Sequence, residues 1–223
     1  MATLEQHPDT AEVDYDSHRP RWLLVALGVI CTVALLGAGA ALTVVTGIGT
    51  DRPPAVDSVD AGFARDMATH HDQAVQMAQV VRDNSTDPAV RLLAFDIETG
   101  QLAQIGQMRG WLESWGQTGQ SDLPQMSWMQ HTVAPGQLMP GMATQAELAK
   151  LRGLRGKAMD VYFLQLMIRH HEGGLPMAQY AEKHAETAVV RTLAKSIADT
   201  QQAETQLMTG MLTDRGGTPL PAP

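Results

Sequence analysis

The sequence predicts an all-α chain in which one transmembrane helix precedes an up-down four-helix bundle made of two duplicated helical hairpins. Three observations lead to this prediction. The stretch 60–78 recurs at 160–178, at an offset of 100 residues with no gap. Apolar residues of the later region recur at intervals of three and four, as in amphipathic helices. The segment 22–49 contains 28 consecutive residues without a charge.

The N-terminal region has the features of a signal anchor. Residues 1–21 are polar and acidic, which predicts a disordered head. Segment 22–49 is long enough to cross a bilayer core of about 30 Å. Arg19 and Arg21 precede it, so the positive-inside rule predicts a cytoplasmic head and an extracytoplasmic C-terminal domain at the cell membrane.

Cleavage of this segment is the alternative. The small residues around Ala38 and Ala40 offer a signal-peptide cleavage site, but the acidic head is unlike a basic n-region. We therefore favour a retained anchor. The only cysteine, Cys31, lies within the apolar segment, so the outer domain has no disulfide and no thiolate ligand.

The outer domain, residues 58–213, follows a proline-containing linker at 50–57. Its predicted helices span, in order, about 58–83, 88–115, 144–152, 156–184 and 187–212. Three helix starts carry clear signals, namely Asp57 or Ser58 as an N-cap, Pro88 at a first helical position, and a capping box of Thr144 with Glu147. The tail 214–223 is rich in proline and glycine, which predicts disorder.

Each copy of the repeat places two adjacent histidines on its inward stripe, which covers an arc of about 120°. Methionines lie on the same stripe. The candidate metal ligands are His70, His71, Met67 and Met77 in the first copy and His170, His171, Met167 and Met177 in the second. Imidazole and thioether groups bind soft or borderline metal ions and are costly to bury unpaired. A single pair would be read as ordinary packing, but its repetition favours a metal site.

The second helices of the hairpins also match each other. Corresponding pairs are Ile97 and Ile197, Gln101 and Gln201, Gln104 and Glu204, Met108 and Met208, Trp111 and Met211, and Leu112 and Leu212. Buried amides need partners, and the histidines of the neighbouring helix are suited to them. Glu204 is either a partner for an imidazole N–H or a metal ligand. Met108 and Met208 are candidate ligands of second rank.

Two further features distinguish the copies. Gly173, Gly174 and Pro176 should interrupt and kink the third long helix directly after His171, either as an adjusted site geometry or as tolerated drift. A long loop, 116–143, joins the hairpins and is rich in methionine. Its Met126, Met129, His131, Met139 and Met142 are second-rank candidate ligands, either as a soft-metal claw or as apolar plugs over the end of the bundle.

The doubled pattern Asp-x-x-Phe-x-x-x-Met-x-x-His-His-x-x-Ala/Gly-x-x-Met-Ala resembles the domain of unknown function family numbered 305. The resemblance covers about Asp60 to Leu212. It implies a ferritin-like bundle, exported or membrane-anchored in bacteria, with copper binding as the role proposed for some members. The Met-x-x-Trp-Leu end of the second helix, from Met108 to Leu112, also belongs to this resemblance. Two features of the second copy depart from it, namely Gly173 to Pro176 and Met211 in place of the tryptophan, which raises the question whether both halves bind equally.

The leading functional hypothesis is an extracytoplasmic copper-binding protein that takes up, stores or buffers the ion and is not an enzyme. A structural or interaction module of the cell envelope is the main alternative, and haem binding a weaker one. A di-iron oxidase is disfavoured because the outer domain contains no Glu-x-x-His sequence. Nucleic acid is disfavoured as a partner because the chain beyond Gly49 is net acidic, with 19 acidic and 14 basic residues.

Overall fold

The computed structural model describes residues 31–35, 52–129 and 131–221. The chain divides into two compact units, Met1–Arg52 and Pro53–Pro223. In the first unit residues 31–35 are helical, and the predicted head and most of the predicted span 22–49 lie outside the described residues. Within the described ranges no helix is long and apolar enough to cross a bilayer. The transmembrane helix therefore stays a prediction.

In the described part of the second unit all regular secondary structure is helical, with no strand. Its elements are α1 (Val59–Asn84), α2 (Pro88–Ser114), a 3₁₀ turn (Ser127–Met129), α3 (Gln145–Gly153), α4 (Gly156–His184) and α5 (Ala188–Asp214). All five predicted helices are present, and their ends lie within two residues of the predicted positions. The sequence signals for helix ends were therefore sufficient to locate them.

Local capping explains where several helices begin. The Ser58 hydroxyl accepts a hydrogen bond from the Ala61 backbone N–H at 3.2 Å, which confirms Ser58 as the first N-cap. The predicted capping box of Thr144 and Glu147 is formed in full at the start of α3. Each cap satisfies backbone donors that a helix start leaves unpaired.

The bundle is assembled from two hairpins, α1 with α2 and α4 with α5, which meet through α1 and α4. The start of α1 lies beside the turn before α5, where Asp60 accepts hydrogen bonds from Glu186 and Thr187. The start of α4 lies beside the end of α1, where the Ser85 hydroxyl donates to Asp160 at 2.6 Å. Helices α1 and α4 are therefore antiparallel, and the two hairpins are related by an approximate twofold axis.

Two apolar clusters fill the interior. Each cluster contains two methionines of the inward stripes, one from each copy of the repeat. The α1-end cluster contains Met77 and Met167 together with Phe163. The α1-start cluster contains Met67 and Met177 together with Phe63. Because the histidine pairs lie between these methionines in sequence, they occupy the middle of the bundle.

One sequence prediction is corrected by the structure. Helix α4 continues through Pro176, so the predicted interruption after His171 is wrong, although a kink at this proline stays a prediction. Disorder of the tail 214–223 also stays a prediction, but two of its residues, Thr218 and Leu220, contact the bundle. Gly216 turns the chain at φ 68°, and the Thr218 carbonyl then accepts a hydrogen bond from Gln165 at 2.7 Å. The glycine reverses the chain onto α4.

Candidate metal centre

The four repeated histidines lie together in the interior of the bundle. Each of His70, His71, His170 and His171 is 0% exposed. The rings of His70 and His170 meet where α1 and α4 cross, with centroids 3.8 Å apart and planes inclined by 41°. His171 lies further along α4, with its ring centroid 6.3 Å from that of His170. The prediction that both histidine pairs face one shared interior agrees with this geometry.

Every one of these rings is held through its Nε2 atom by an oxygen acceptor. The His70 N–H donates to the Pro140 carbonyl at 3.0 Å, and the His170 N–H donates to the His70 carbonyl at 3.1 Å. The other two rings bond to side chains of the flanking helices. The His71 N–H donates to Gln104 Oε1 at 2.7 Å, and the His171 N–H donates to Glu204 Oε2 at 2.6 Å. These acceptors place the proton on Nε2 and orient all four rings.

The opposite ring nitrogens are unpaired. In the described part of the chain the Nδ1 atoms of His70, His71, His170 and His171 are buried without a hydrogen-bond partner. A neutral ring that carries its proton on Nε2 has a lone pair on Nδ1. Each of the four rings therefore has a lone pair in an apolar interior that no hydrogen bond uses. Histidines that bind metals have this arrangement, in which the second ring nitrogen donates to a carbonyl, amide or carboxylate.

Burial also keeps imidazoles in the form that binds metals. Loss of solvation lowers the pKa of His70 to about 4 and that of His71 to about 3. The pKa of His170 is likewise well below its usual value, first through burial and then through the neighbouring His70. A neutral ring has an available lone pair, whereas a protonated one has none.

The methionine candidates share the interior with the rings. Met67, Met77, Met167 and Met177 are all 0% exposed, as are Met108 and Met208. No group of three or more His, Cys, Asp or Glu side chains within the described ranges is arranged to hold a metal ion. A site here would therefore combine imidazoles with thioethers, which lie one to two turns away along the same helices.

The flanking helices provide the predicted polar partners, and the two copies differ in charge. Gln104 and Glu204 both bond to an imidazole, as the sequence predicted for an outer partner. Gln101 and Gln201 do not: their side-chain oxygens are buried and unpaired in the described structure. These two amides lie in a small cleft between α2 and α5.

The methionine-rich loop reaches the site through its backbone. Pro140 accepts the His70 hydrogen bond, and Gly173 makes this possible because a Cβ there would lie 2.2 Å from the Pro140 carbonyl oxygen. This close approach is a physical reason for the glycine. Met126 and Met139 are buried in the α1-start cluster, with Met129 and Met142 partly buried against it, as expected of apolar plugs. His131 is exposed.

Two residues that position the loop were missed in the sequence. Asp66 accepts hydrogen bonds from the Met126 N–H and from the Trp128 indole N–H, both at 2.7 Å. Gln73 donates to the Ala143 carbonyl at 2.9 Å and accepts from the N–H of the same residue. Both lie on α1, before and after the histidine pair. A comparison of the two copies could have indicated them, because Asp66 and Gln73 are polar and the corresponding residues of the second copy, Leu166 and Gly173, are not.

A further cavity lies apart from the imidazoles. It has a volume of about 590 Å³ and lies between α1 and the loop, beside Arg65 and Asp66. Both charged groups already have partners, since Arg65 donates to Gln117 at 3.0 Å and Asp66 binds the loop. The unpaired nitrogens of the imidazole layer are therefore the stronger chemical signal.

Fold and site together define a class of protein, a duplicated helical-hairpin domain with a buried layer of histidines. The chain belongs to the family described as Domain of unknown function (DUF305), whose family model matches residues 60–212. This match confirms the resemblance found in the sequence. Among curated proteins, none matches the chain.

Solved structures agree with this assignment. A DUF305 protein from Streptomyces coelicolor is 45% identical, with 74% of this chain and 99% of that one covered and a TM-score of 0.71. A DUF305 fragment from Deinococcus radiodurans is 33% identical, covering 70% and 96%, with a TM-score of 0.59. CopM in its Cu(I)-bound form is 24% identical, covering 71% and 98%, with a TM-score of 0.54, and shares the fold.

Proposed function

We propose that this chain is a membrane-anchored extracytoplasmic protein whose ferritin-like bundle binds copper in order to store or buffer it. The observation that carries the proposal is the set of four buried imidazoles with their Nε2 atoms fixed and their Nδ1 atoms unpaired. Unpaired polar atoms in an apolar interior are expensive, and a bound cation would satisfy them. No other group of side chains in the described structure has as many buried polar atoms without a hydrogen-bond partner.

Copper suits the available donors better than other metals. Thioether groups favour Cu(I), and imidazole accepts both oxidation states. Since no three of the histidines form a ready-made group, an ion would be held by at most two of His70, His71, His170 and His171 together with thioethers from Met67, Met77, Met167 or Met177. Gln104 and Glu204 would act as outer partners that orient the rings. Structures of CopM bound to Cu(I), to Cu(II) and to silver have the same fold at 24%, 24% and 23% identity, which supports this choice.

The dimensions of the interior favour an ion over a large cofactor. The cleft lined by the ring partners Gln104 and Glu204 has a volume of about 30 Å³, which is close to the space of one water molecule. A haem group does not fit in such a space without opening the bundle. The inward carboxylates that a di-iron centre requires are also committed elsewhere, since Asp60 and Asp160 bind the turns of the opposite hairpins.

A purely structural role for the histidines is the second candidate, and one contact favours it. The His170 ring donates to the His70 backbone carbonyl and so links α4 directly to α1. A role limited to this bond uses one nitrogen of one ring. It gives no reason for four unpaired Nδ1 atoms, and we therefore prefer the metal site.

The test is a titration of the full-length, metal-free protein with Cu(I) and, in parallel, with Zn(II). We expect Cu(I) to bind more tightly than roughly micromolar. Replacement of His70, His71, His170 and His171 by Ala should abolish that binding, whereas His131→Ala, which alters an exposed histidine, should leave it unchanged. Circular dichroism shows whether the fourfold variant remains folded.

A milder pair of variants keeps the test decisive if the fourfold variant unfolds. Met67→Leu and Met177→Leu conserve side-chain volume in the core and remove a thioether each. The proposal requires them to weaken Cu(I) binding more than Zn(II) binding. Wild-type protein that binds neither ion would contradict the proposal and leave the structural role.

Location is tested separately. Alkaline phosphatase fused after Pro223 is active only outside the cytoplasm, so the predicted orientation requires an active fusion in the membrane fraction. Deletion of residues 22–49 should make the fusion inactive. Activity released into the medium would favour a cleaved signal peptide over the retained anchor.

A further inference from the structure

The imidazole layer is enclosed, so an ion needs a route to it. All four rings are 0% exposed. On the side formed by α1 and α4 the loop covers the rings. The Pro140 carbonyl accepts a hydrogen bond from His70 and packs directly against Gly173. Passage there would require a displacement of backbone that is hydrogen-bonded and tightly packed.

The side formed by α2 and α5 is different. These two helices share no extensive interface in the described structure, although each packs closely against its hairpin partner. A cleft of about 30 Å³ lies between them. Its lining includes equivalent residues of both copies, namely Ile97 and Ile197, Gln101 and Gln201, and Gln104 and Glu204. The cleft therefore lies along the approximate twofold axis that also passes between His70 and His170.

Polar groups in this cleft lack partners. Gln101 and Gln201 are 5% and 3% exposed, and their side-chain oxygens form no hydrogen bond within the described residues. The Gln201 amide nitrogen is unpaired as well. Buried amides are normally satisfied, so their presence in a cleft points to a ligand that they meet there. Amide oxygens bind copper only weakly, so they suit an ion in passage and not a final binding site.

The amides connect the surface to the rings. Glu204 is at the outer end, with a side chain that is 19% exposed and a carboxylate bonded to His171. At the inner end, a Cβ built on Gly174 would lie 3.1 Å from both Gln201 Oε1 and His70 Cε1, so the amide and the ring share one small space. The lining contains two carboxylates, Asp96 and Glu204, and no lysine or arginine. Such a cleft attracts cations.

We propose that the cleft between α2 and α5 is the route by which a metal ion reaches the imidazoles, with Gln101, Gln201 and Glu204 as a transit site. The proposal rests on the metal-binding function proposed above. A single water-sized passage admits an ion that sheds its water stepwise onto amide and carboxylate oxygens. It excludes larger ligands and chelates.

Gly100 offers a way to obstruct the cleft without touching a histidine. It lines the cleft, and a Cβ at this position meets nothing within 4 Å. Gly100→Leu should therefore fold and place a bulky side chain at the opening, with a gain in helix propensity. Gly110→Leu is the matched control, because Gly110 is also an open position on α2 but does not line the cleft.

The experiment follows the rate at which the full-length, metal-free protein takes up Cu(I) from a weak chelator, by stopped-flow absorbance. Affinity is measured at equilibrium by competition with the same chelator. We expect Gly100→Leu to load at least tenfold more slowly, with unchanged affinity and stoichiometry, and Gly110→Leu to load like the wild type. Thr200→Leu obstructs the cleft from α5 and should slow loading in the same way.

The outcomes separate the two proposals. Wild-type loading rates in both Gly100→Leu and Thr200→Leu, with normal affinity, would overturn the route and leave the metal site intact. Absence of Cu(I) binding by the wild-type protein would overturn both. Slower loading in Gly110→Leu as well would also count against the route, because the effect would then be independent of the cleft.

Discussion

The two histidine helices, α1 and α4, are alike toward the interior and different toward the loop. Both present two imidazoles, two methionines and a phenylalanine inward, at corresponding positions. Toward the loop, α1 has the polar side chains Asp66 and Gln73, which bind the loop at two points. Helix α4 has Gly173 at the position of Gln73, and the loop packs directly on its backbone. The two halves therefore share the side chains that face the interior. They differ in the residues that contact the loop, because one loop contacts both helices.

The outer partners of the rings differ in the same way. His71 donates to an amide oxygen of Gln104, and His171 donates to a carboxylate oxygen of Glu204. The geometry is similar in the two halves, but one has a formal negative charge beside its imidazole. The halves therefore have the same buried imidazoles with different electrostatics around them.

One of the two largest effects should come from the glycine on which the loop packs. Gly173→Ala would bring a Cβ within 2.2 Å of the Pro140 carbonyl oxygen, so backbone must move. We expect the free energy of unfolding to fall by about 3 kcal/mol. Gly100→Ala is the control at an open helical position and should raise stability by about 0.5–1 kcal/mol. Urea denaturation measures both, and equal effects would contradict the role of Gly173.

The aspartates that begin each repeat should differ in importance. Asp60 accepts hydrogen bonds from the Glu186 N–H, the Thr187 N–H and the Thr187 hydroxyl. Asp160 accepts one, from Ser85. We expect Asp60→Ala to destabilise the domain by about 3 kcal/mol and Asp160→Ala by about half as much, as judged from hydrogen bonds to charged groups. Chemical denaturation of both variants would show whether the two halves differ in this order.

Acid should destabilise the metal-free protein through its buried imidazoles. The folded-state pKa is about 4 for His70 and about 3 for His71, below the ordinary value near 6.5. In this interval the unfolded chain binds more protons than the folded one, so stability falls as pH decreases from about 6.5 toward 4. Melting temperatures across this range test the effect. A fourfold replacement of the histidines by Gln that still melts with the same pH dependence would contradict it.

The smallest predicted effect concerns the charge difference between halves. Glu204→Gln gives the second half the partner that the first half already has, so the hydrogen bond to His171 is retained. We expect Cu(II) affinity to fall about tenfold, the lower range for changes to an outer partner, and Cu(I) affinity to change less. Gln104→Glu should do the opposite. Competition titrations with both ions measure these affinities. Unchanged Cu(II) affinity in both variants would mean that the charge of the ring partner does not affect binding.

Much of the fold could be predicted because its signals are local. Helix α4 begins and ends where the apolar periodicity placed it, and the capping box before α3 forms as its four residues indicate. The inward position of the histidines followed from the helical repeat alone. Gln104 was expected as a ring partner because buried amides need partners, and Glu204 was expected either as a ring partner or as a metal ligand.

The features that were missed depend on contacts distant in sequence. Asp60 and Asp160 occupy the first position of each repeat, yet only the structure pairs them with the turns of the opposite hairpins. Loop position depends on Asp66, whose partners lie about sixty residues away. Leu220 of the tail packs partly buried against the bundle, a contact that composition does not reveal.

The antiparallel meeting of α1 and α4 has a consequence for biosynthesis. His70 and His170 contact each other across one hundred residues, so the first hairpin emerges from the ribosome without its counterpart. A nascent chain that ends before the second hairpin has only two of the four buried histidines, and one that ends before the loop also lacks the Pro140 carbonyl that orients His70. Under the proposed function, capture of an ion would therefore require the finished domain.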